Sequence, residues 1–455
     1  MMPKTPVIIA IVCLLVSALS LALLAVSAIP GSLLPLLALL GMLGLTLALG
    51  NIPALKGYQY TGWIVAAVIA GLLFPQWFQQ WGNVNLRDKT LILVIIQVVM
   101  FGMGTHMRLQ DFNNLASTGK GVLVGLLCHF SIMPLMGWLL TRIFHFEPEI
   151  AAGIILIGSC SSGLASNVMV YLARANLALS VIVTAMATMA APFCTPLLMK
   201  LLAGELIQIR FFDMMMEIIK IVIVPIGAAL LHDYLLHARA TYRYRITMLA
   251  FVCAGVILLW LVWLKAYFTI RLLPAGTELF QLTELLVYIS GAVIAGTVYN
   301  YLYRKIPSVT RVMPLLSMAG IIYFTTVTTA AGRDNLMKVG LLLFLASVIH
   351  NAAGYFFGFW FSRFLGMDRQ SSRTIAFEVG LQNGGMASGL AGAMGKLGTV
   401  GLPAAVFSPW MNITGSLLAN YWRRRPVESP AEEKASAAAS DVEKDAVPMP
   451  GSNVQ

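Results

Sequence analysis

Residues 374–392 read TIAFEVGLQNGGMASGLAG, and no basic residue stands between Arg373 and Lys396. A carboxylate, Glu378, therefore sits inside a long apolar region. Placing such a charge in a membrane helix costs about 2.5–3.5 kcal/mol. Gln382, Asn383, Gly384 and Gly385 follow directly. Glycines weaken a helix, and amides can satisfy a backbone that has unwound. Small residues also let helices approach closely, so a plain packing seam is the bland alternative. The sharper reading is a broken membrane helix whose loose carbonyls and carboxylate hold a cation.

The whole chain fits that reading. It is 59% hydrophobic and 11% charged over 455 residues, with mean hydropathy +0.83. That is the composition of an all-α polytopic membrane protein. Fourteen spans are expected, at 6–28, 33–50, 60–74, 90–105, 120–142, 150–172, 178–200, 213–232, 246–268, 282–303, 312–331, 336–362, 374–395 and 400–422. The net charge of +11 is not a nucleic-acid surface, because Lys and Arg fall in short loops. Their excess, including Lys56, Arg108, Arg243, Arg304, Arg363 and Arg423 to Arg425, places both termini in the cytoplasm of a cell (inner) membrane protein. Lys220 lies inside a span and belongs to no loop. The run up to Ala28 could end in a cleavage site, but it is longer than a signal core and is read as a retained helix. The five cysteines all lie in apolar spans without metal spacing, and Cys160 alone borders a polar stretch.

Residues 157–168, IGSCSSGLASNV, form a second interruption, rich in hydroxyl and amide oxygens. Ser180 and Thr184 stand one turn apart on the next span, where a bond back to their own helix is the plain alternative. An internal repeat links the two interruptions. His129 and His350 are each followed eight residues later by Gly (Gly137, Gly358) and thirteen later by Arg (Arg142, Arg363). Each lies in the span before a break, with Asn167 and Asn383 beyond. Arg142 and Arg363 fall on opposite sides, so the units are inverted, as in many secondary transporters. Residues 240–308 have little polar content inside the membrane. After Arg425 the chain becomes low in large apolar residues, and 426–455 are read as a disordered cytoplasmic tail.

FGMG at 101–104, ASNVMVYLARANLALSV at 165–181, HN at 350–351, EVGLQN at 378–383 and FSPWMNITGSLLANYW at 407–422 resemble the bile acid:sodium symporter family. The resemblance covers about 57–232 and 309–422. It implies ten helices in two inverted repeats, with two broken, crossing helices and a core domain that moves against a panel domain. On that plan 1–52 is an extra N-terminal helix pair and 53–118 begins the panel. Residues 119–205 hold the first-repeat core and crossover, and 206–239 a panel helix. An inserted pair follows at 240–308, a panel helix at 309–335, and the second-repeat core and crossover at 336–425. The insertion enlarges the panel or forms a homo-oligomer contact.

The resemblance also implies site residues. A first sodium site matches Ser166, Asn167, Ser180, Thr184 and Glu378. A second matches the side chains of Glu378 and Gln382, the carbonyls of Val379 and Leu381, and a glutamine whose position here is His129. A neutral imidazole is a poor sodium ligand, so this second site is weakened or lost, or His129 brings a proton into the cycle. The family's Pro-Gly-Gly-Thr is here Ser161-Ser162-Gly163-Leu164. Asn383 is the foremost substrate contact, with Ser161, Ser162 and Asn167 beside it. The implied activity is sodium-coupled uptake of an organic anion, bile-acid-like or a small carboxylate, by alternating access in the lipid bilayer. Na+ is then the coupling ion and there is no cofactor. The alternatives are a proton-coupled transporter or exchanger using His129 and Glu378, and a membrane sensor that binds without flux. No zinc motif or nucleophile elbow points to an enzyme.

Overall fold

A computed structural model describes residues 4–26, 33–53, 55–110, 115–270, 278–425 and 427. The expected tail at 426–455 lies, apart from residue 427, outside the described residues. Seventeen helices make up almost all of the described chain. The first four are α1 (Lys4–Val26), α2 (Leu34–Gly50), α3 (Gln59–Leu73) and α4 (Lys89–Gly104). Next come α5 (Leu115–Phe144), α6 (Pro148–Ser159), α7 (Leu164–Leu172) and α8 (Leu177–Ala203). The chain continues with α9 (Phe211–Ile218), α10 (Val224–His237), α11 (Ala240–Ile270), α12 (Glu278–Lys305) and α13 (Val309–Ala331). It closes with α14 (Arg333–Phe364), α15 (Arg369–Gly380), α16 (Gly384–Ala393) and α17 (Leu402–Arg423). Among the described residues eight helical segments are long and apolar enough to cross a membrane, so the protein is a multi-pass membrane protein.

Local chemistry sets the helix ends. Asp88 accepts from Thr90 N (2.9 Å) and Leu91 N (3.1 Å) and starts α4. Asn176 starts α8 by accepting from Leu179 N at 3.0 Å, and Asp368 starts α15 by accepting from Ser371 N at 2.8 Å. Each side chain satisfies a donor that the helix leaves free. Pro148 occupies the first turn of α6, where a missing N–H costs nothing. A tight hairpin, β1 (Gln80–Trp81) with β2 (Val84–Asn85), joins α3 to α4 through Gly82 at φ +56° and has no forewarning in the hydropathy.

The two interrupted segments lie at the centre. Ile150–Ser159 of α6 and Ser371–Gly380 of α15 are buried throughout. The burial of α15 is notable because its sequence, RQSSRTIAFEVG, is polar on average. Protein rather than lipid must solvate it. α5, α8, α14 and α17 surround these segments. The repeated glycines permit that packing. A Cβ on Gly137 would lie 3.0 Å from Ile154 O of α6, and one on Gly358 would lie 3.1 Å from the Ala376 Cα of α15. Gly137 and Gly358 thus each press against one of the two interrupted helices.

α3, α4, α10 and α13 pack beside this centre, with α2 leaning on α3 and α1 on α2. α11 packs on α12, and α12 packs on α10. The contacts of the insertion are more polar than its sequence suggests. Gln281 donates to Asp213 (3.0 Å), and Arg304 donates to the carbonyl of Leu235 (3.1 Å). Glu284 pairs with Lys220, whose ammonium also lies 3.7 Å from Glu217 and 5.7 Å from the Tyr288 ring. Lys220 sits in a single π-turn, Ile219–Ile223, between α9 and α10.

Candidate functional site

Two chain breaks meet at one point. α6 stops at Ser159, and Cys160 to Gly163 run in open backbone before α7. α15 stops at Gly380, and Leu381 to Asn383 separate it from α16. The open segments satisfy each other. Gly163 N donates to Leu381 O (3.1 Å), Asn383 N donates to Ser161 O (2.8 Å), and Ser162 and Gln382 form an antiparallel bridge. Groups that would otherwise be unpaired inside a membrane are thereby paired. The fit is close, since a Cβ on Gly163 would lie 3.0 Å from Gln382 O. Asn383 caps α16 by accepting from Met386 N at 3.0 Å. The N-terminal ends of α7 and α16 and the C-terminal ends of α6 and α15 thus converge, and with them their opposite dipole charges.

Glu378 lies one turn before the second break and is fully buried. Its Oε1 accepts from Ser180 Oγ (2.5 Å), and its Oε2 accepts from Thr184 Oγ1 (2.8 Å) and Ser162 Oγ (2.7 Å). Ser180 and Thr184 share a face of α8 at i, i+4 spacing, and Asn176 fixes where that helix begins. Neither hydroxyl bonds back to its own helix. Asn167 Oδ1 lies 2.7 Å from Ser180 Oγ and 3.4 Å from Thr184 Oγ1. Ser166 Oγ donates to Gly163 O (2.8 Å) and lies 3.4 Å from Thr184 Oγ1. Ser166, Asn167, Ser180, Thr184 and Glu378 therefore come together in one group of oxygens, all buried except the half-buried Asn167. Among the described residues no group of three His, Cys, Asp or Glu side chains is placed to hold a metal ion. A cation here would meet one carboxylate and neutral oxygens.

The second group is arranged differently. Gln382 Nε2 donates to Val379 O (2.7 Å), and Gln382 Oε1 is buried without a hydrogen-bond partner. Leu381 O is already taken by Gly163 N. The His129 ring bridges two carbonyls, with Nδ1 2.9 Å from Glu378 O and Nε2 2.8 Å from Cys160 O. His129 thus touches the backbone of Glu378, not its carboxylate. His350 and Asn351 likewise reach backbone carbonyls. His350 Nε2 lies 2.8 Å from Met133 O, and Asn351 Nδ2 donates to Gly380 O at 2.8 Å.

The residues expected to face substrate separate. Ser162 turns onto Glu378, and Asn167 onto Ser180. Ser161 Oγ points to Met386 Sδ (3.7 Å), and Asn383 Nδ2 to Met103 Sδ (3.8 Å). Sequence reading missed Glu284 because its partner, Lys220, is on another helix. The lone lysine inside a span was the available signal. On the side of the membrane where α4 begins and α16 ends, a cavity of about 350 Å³ is lined by Lys89, Arg210, Glu217, Lys220 and Lys396, among others.

The sequence is similar to those of known proteins. The profile described as Sodium Bile acid symporter family matches residues 93–272. The chain is 30% identical over 388 residues to the uncharacterized sodium-dependent transporter YocS of Bacillus subtilis, covering 85% of this chain and 97% of that one. It is 28% identical over 363 residues to the probable chloroplastic sodium/metabolite cotransporter BASS1 of Arabidopsis thaliana, covering 80% and 72%. With the human ileal sodium/bile acid cotransporter the identity is 24% over 299 residues, covering 65% and 67%. These relatives are sodium-dependent transporters and not enzymes, with Na+ as the coupling ion. The chain belongs to the sodium bile acid symporter family.

Proposed function

We propose that the protein takes up an organic anion, a bile-acid-like molecule or a small carboxylate, together with sodium by alternating access. The observation that carries this reading is the buried Glu378 carboxylate, ringed by Ser162, Ser180 and Thr184 where two broken helices meet. Each hydroxyl donates its hydrogen to Glu378. Rotation about its C–O bond turns a lone pair inward without moving a heavy atom. Ser166, Asn167, Ser180, Thr184 and Glu378 are then the first sodium site. Glu378, Gln382, Val379 O and Leu381 O are the second, in which the unpartnered Gln382 Oε1 is the free ligand. Asn383, at the positive end of α16, meets the anion, with Ser161 near it.

On this reading the fourteen spans comprise ten in two inverted repeats plus the N-terminal and inserted pairs, with both termini cytoplasmic in the inner membrane. Residues 119–205 and 336–425 form the core. The helices of 53–118, 206–239 and 309–335 form the panel, which the insertion at 240–308 enlarges. Sodium at the crossing neutralises Glu378 and fixes the crossover in a form that accepts the anion, and the loaded core then moves against the panel.

The test is the melting of purified protein in detergent, in sodium against potassium, for wild type and Glu378→Ala. A ligand specific for the folded state stabilises it by RT ln(1 + [L]/Kd), about 2.7 kcal/mol at a hundredfold excess over Kd. Stabilisation of wild type but not of the variant supports the site, and an organic-anion screen in sodium follows. Equal melting in both salts refutes it. One observation favours a second reading, proton coupling. The His129 ring faces two carbonyls, and a neutral ring can donate to only one of them. In that case uptake follows pH and ignores sodium.

A further inference from the structure

We propose that Ser162 is itself a ligand-bearing residue of the cation site, and that it ties cation affinity to the crossing of the two breaks. The inference rests on the reading of Glu378 as a sodium ligand. Four observations support it. Ser162 Oγ lies 2.7 Å from Glu378 Oε2, the oxygen that Thr184 Oγ1 also reaches at 2.8 Å, so two hydroxyls flank one carboxylate oxygen. The Ser162 side chain is fully buried, and its bond to Glu378 uses its one hydrogen. Two lone pairs remain on that oxygen, and no donor among the described residues is recorded on them.

The backbone fixes this hydroxyl in place. The residues on either side of Ser162 are hydrogen-bonded to the opposite break, through Ser161 O and Gly163 N, and Ser162 itself bridges Gln382. Finally, the other oxygens come from regular helices: Ser166 and Asn167 from α7, Ser180 and Thr184 from α8, and Glu378 from α15. Ser162 is the side chain that brings the first break itself to the carboxylate. Its φ is not positive, so the position needs no glycine, and a smaller side chain can stand there without backbone strain.

The arrangement has a functional consequence. A hydroxyl carried on a helix stays with the helix when the breaks shift. A hydroxyl carried on a break leaves the carboxylate when that break moves. Ser162 therefore makes the cation sense whether the two breaks are interlocked, and lowers affinity when they part.

The experiment measures sodium affinity from the rise of melting temperature with sodium chloride, at constant ionic strength made up with choline chloride. Wild type, Ser162→Ala, Ser162→Gly and Glu378→Ala are compared, and melting in choline alone reports the fold. Ser162→Ala and Ser162→Gly should both melt cooperatively in choline and bind sodium about tenfold more weakly, the lower range for losing a partner at a metal site. Unchanged or tighter sodium binding in both overturns the proposal, because the hydroxyl would then only donate to Glu378 and compete with the cation. If neither variant melts cooperatively in choline, Ser162 is a folding residue and the proposal falls. If wild type itself shows no sodium response, the sodium-site reading fails first and this inference with it. If wild type responds, Glu378→Ala does not, and the Ser162 variants match wild type, only this inference fails.

Discussion

Replacing Glu284 with leucine should destabilise the protein, and replacing Lys220 with methionine at the same time should restore most of what is lost. The Lys220 side chain is 6% exposed and Glu284 31%. Removing one partner of a fully buried pair costs about 3–5 kcal/mol. Two features reduce that figure here. Glu217 remains 3.7 Å from Lys220, and Glu284 is partly exposed. About 2 kcal/mol is therefore expected for E284L. Loss of Lys220 alone leaves two partly exposed carboxylates, Glu217 and Glu284, behind and should cost about 1 kcal/mol. The double variant K220M/E284L removes both charges and should lie within about 1 kcal/mol of wild type, as apolar replacements of buried pairs do. The assay is a double-mutant cycle on unfolding free energies from SDS titration. A coupling of about 2 kcal/mol is expected. Single effects that add to within about 0.5 kcal/mol would refute the view that this pair fastens α12 to α9 and α10.

Three further outcomes are expected. Gly153→Ala places a Cβ 2.3 Å from the backbone oxygen of Val400, which cannot swing aside, so melting should fall by about 1–3 kcal/mol-equivalent, while Gly57→Ala, with open space around it, should not change it. Asn383→Ala should lose the stabilisation given by an anionic substrate but keep the response to sodium, with a cap loss of about 1 kcal/mol visible in both salts. Hydrogen bonding from Lys396 holds the Glu149 carboxyl below its ordinary value of 4.5. The contact therefore stabilises the fold above that value and is lost as pH falls through the depressed one. Both side chains are more than a third exposed, so Lys396→Met should remove only a small part of the acid sensitivity of melting.

Much of this organisation is legible in the sequence, for definite reasons. Hydropathy marks the long helices because lipid demands it. The breaks show because Glu378, Gln382 and Asn383, or three serines in four residues at 159–162, cannot be accommodated in an ordinary membrane helix. The His129 and His350 spacings show because their glycines must admit α6 and α15. What stayed hidden depends on partners distant in sequence. The direction of the Ser162 hydroxyl is set by residues 381–383, and no local pattern states it. The role of Glu284 is set by a lysine 64 positions earlier. The polar α15 looks like a poor membrane segment until its complete burial is seen. The π-turn at Ile219–Ile223 follows from no composition rule, and we have no physical account of it beyond its position at Lys220.

The backbone pairing of the two breaks also bears on how such a chain is made. A ribosome completes Ser161 and Gly163 some 220 residues before Leu381 and Asn383, the groups that satisfy them. Through that interval the first break would lie in the bilayer with its amides and carbonyls unmet, which lipid does not permit. Until then the first segment satisfies its backbone in some other way, as continuous helix or through its own serine hydroxyls. The pairing seen here can form only when the later segment arrives, so the crossing closes late in synthesis.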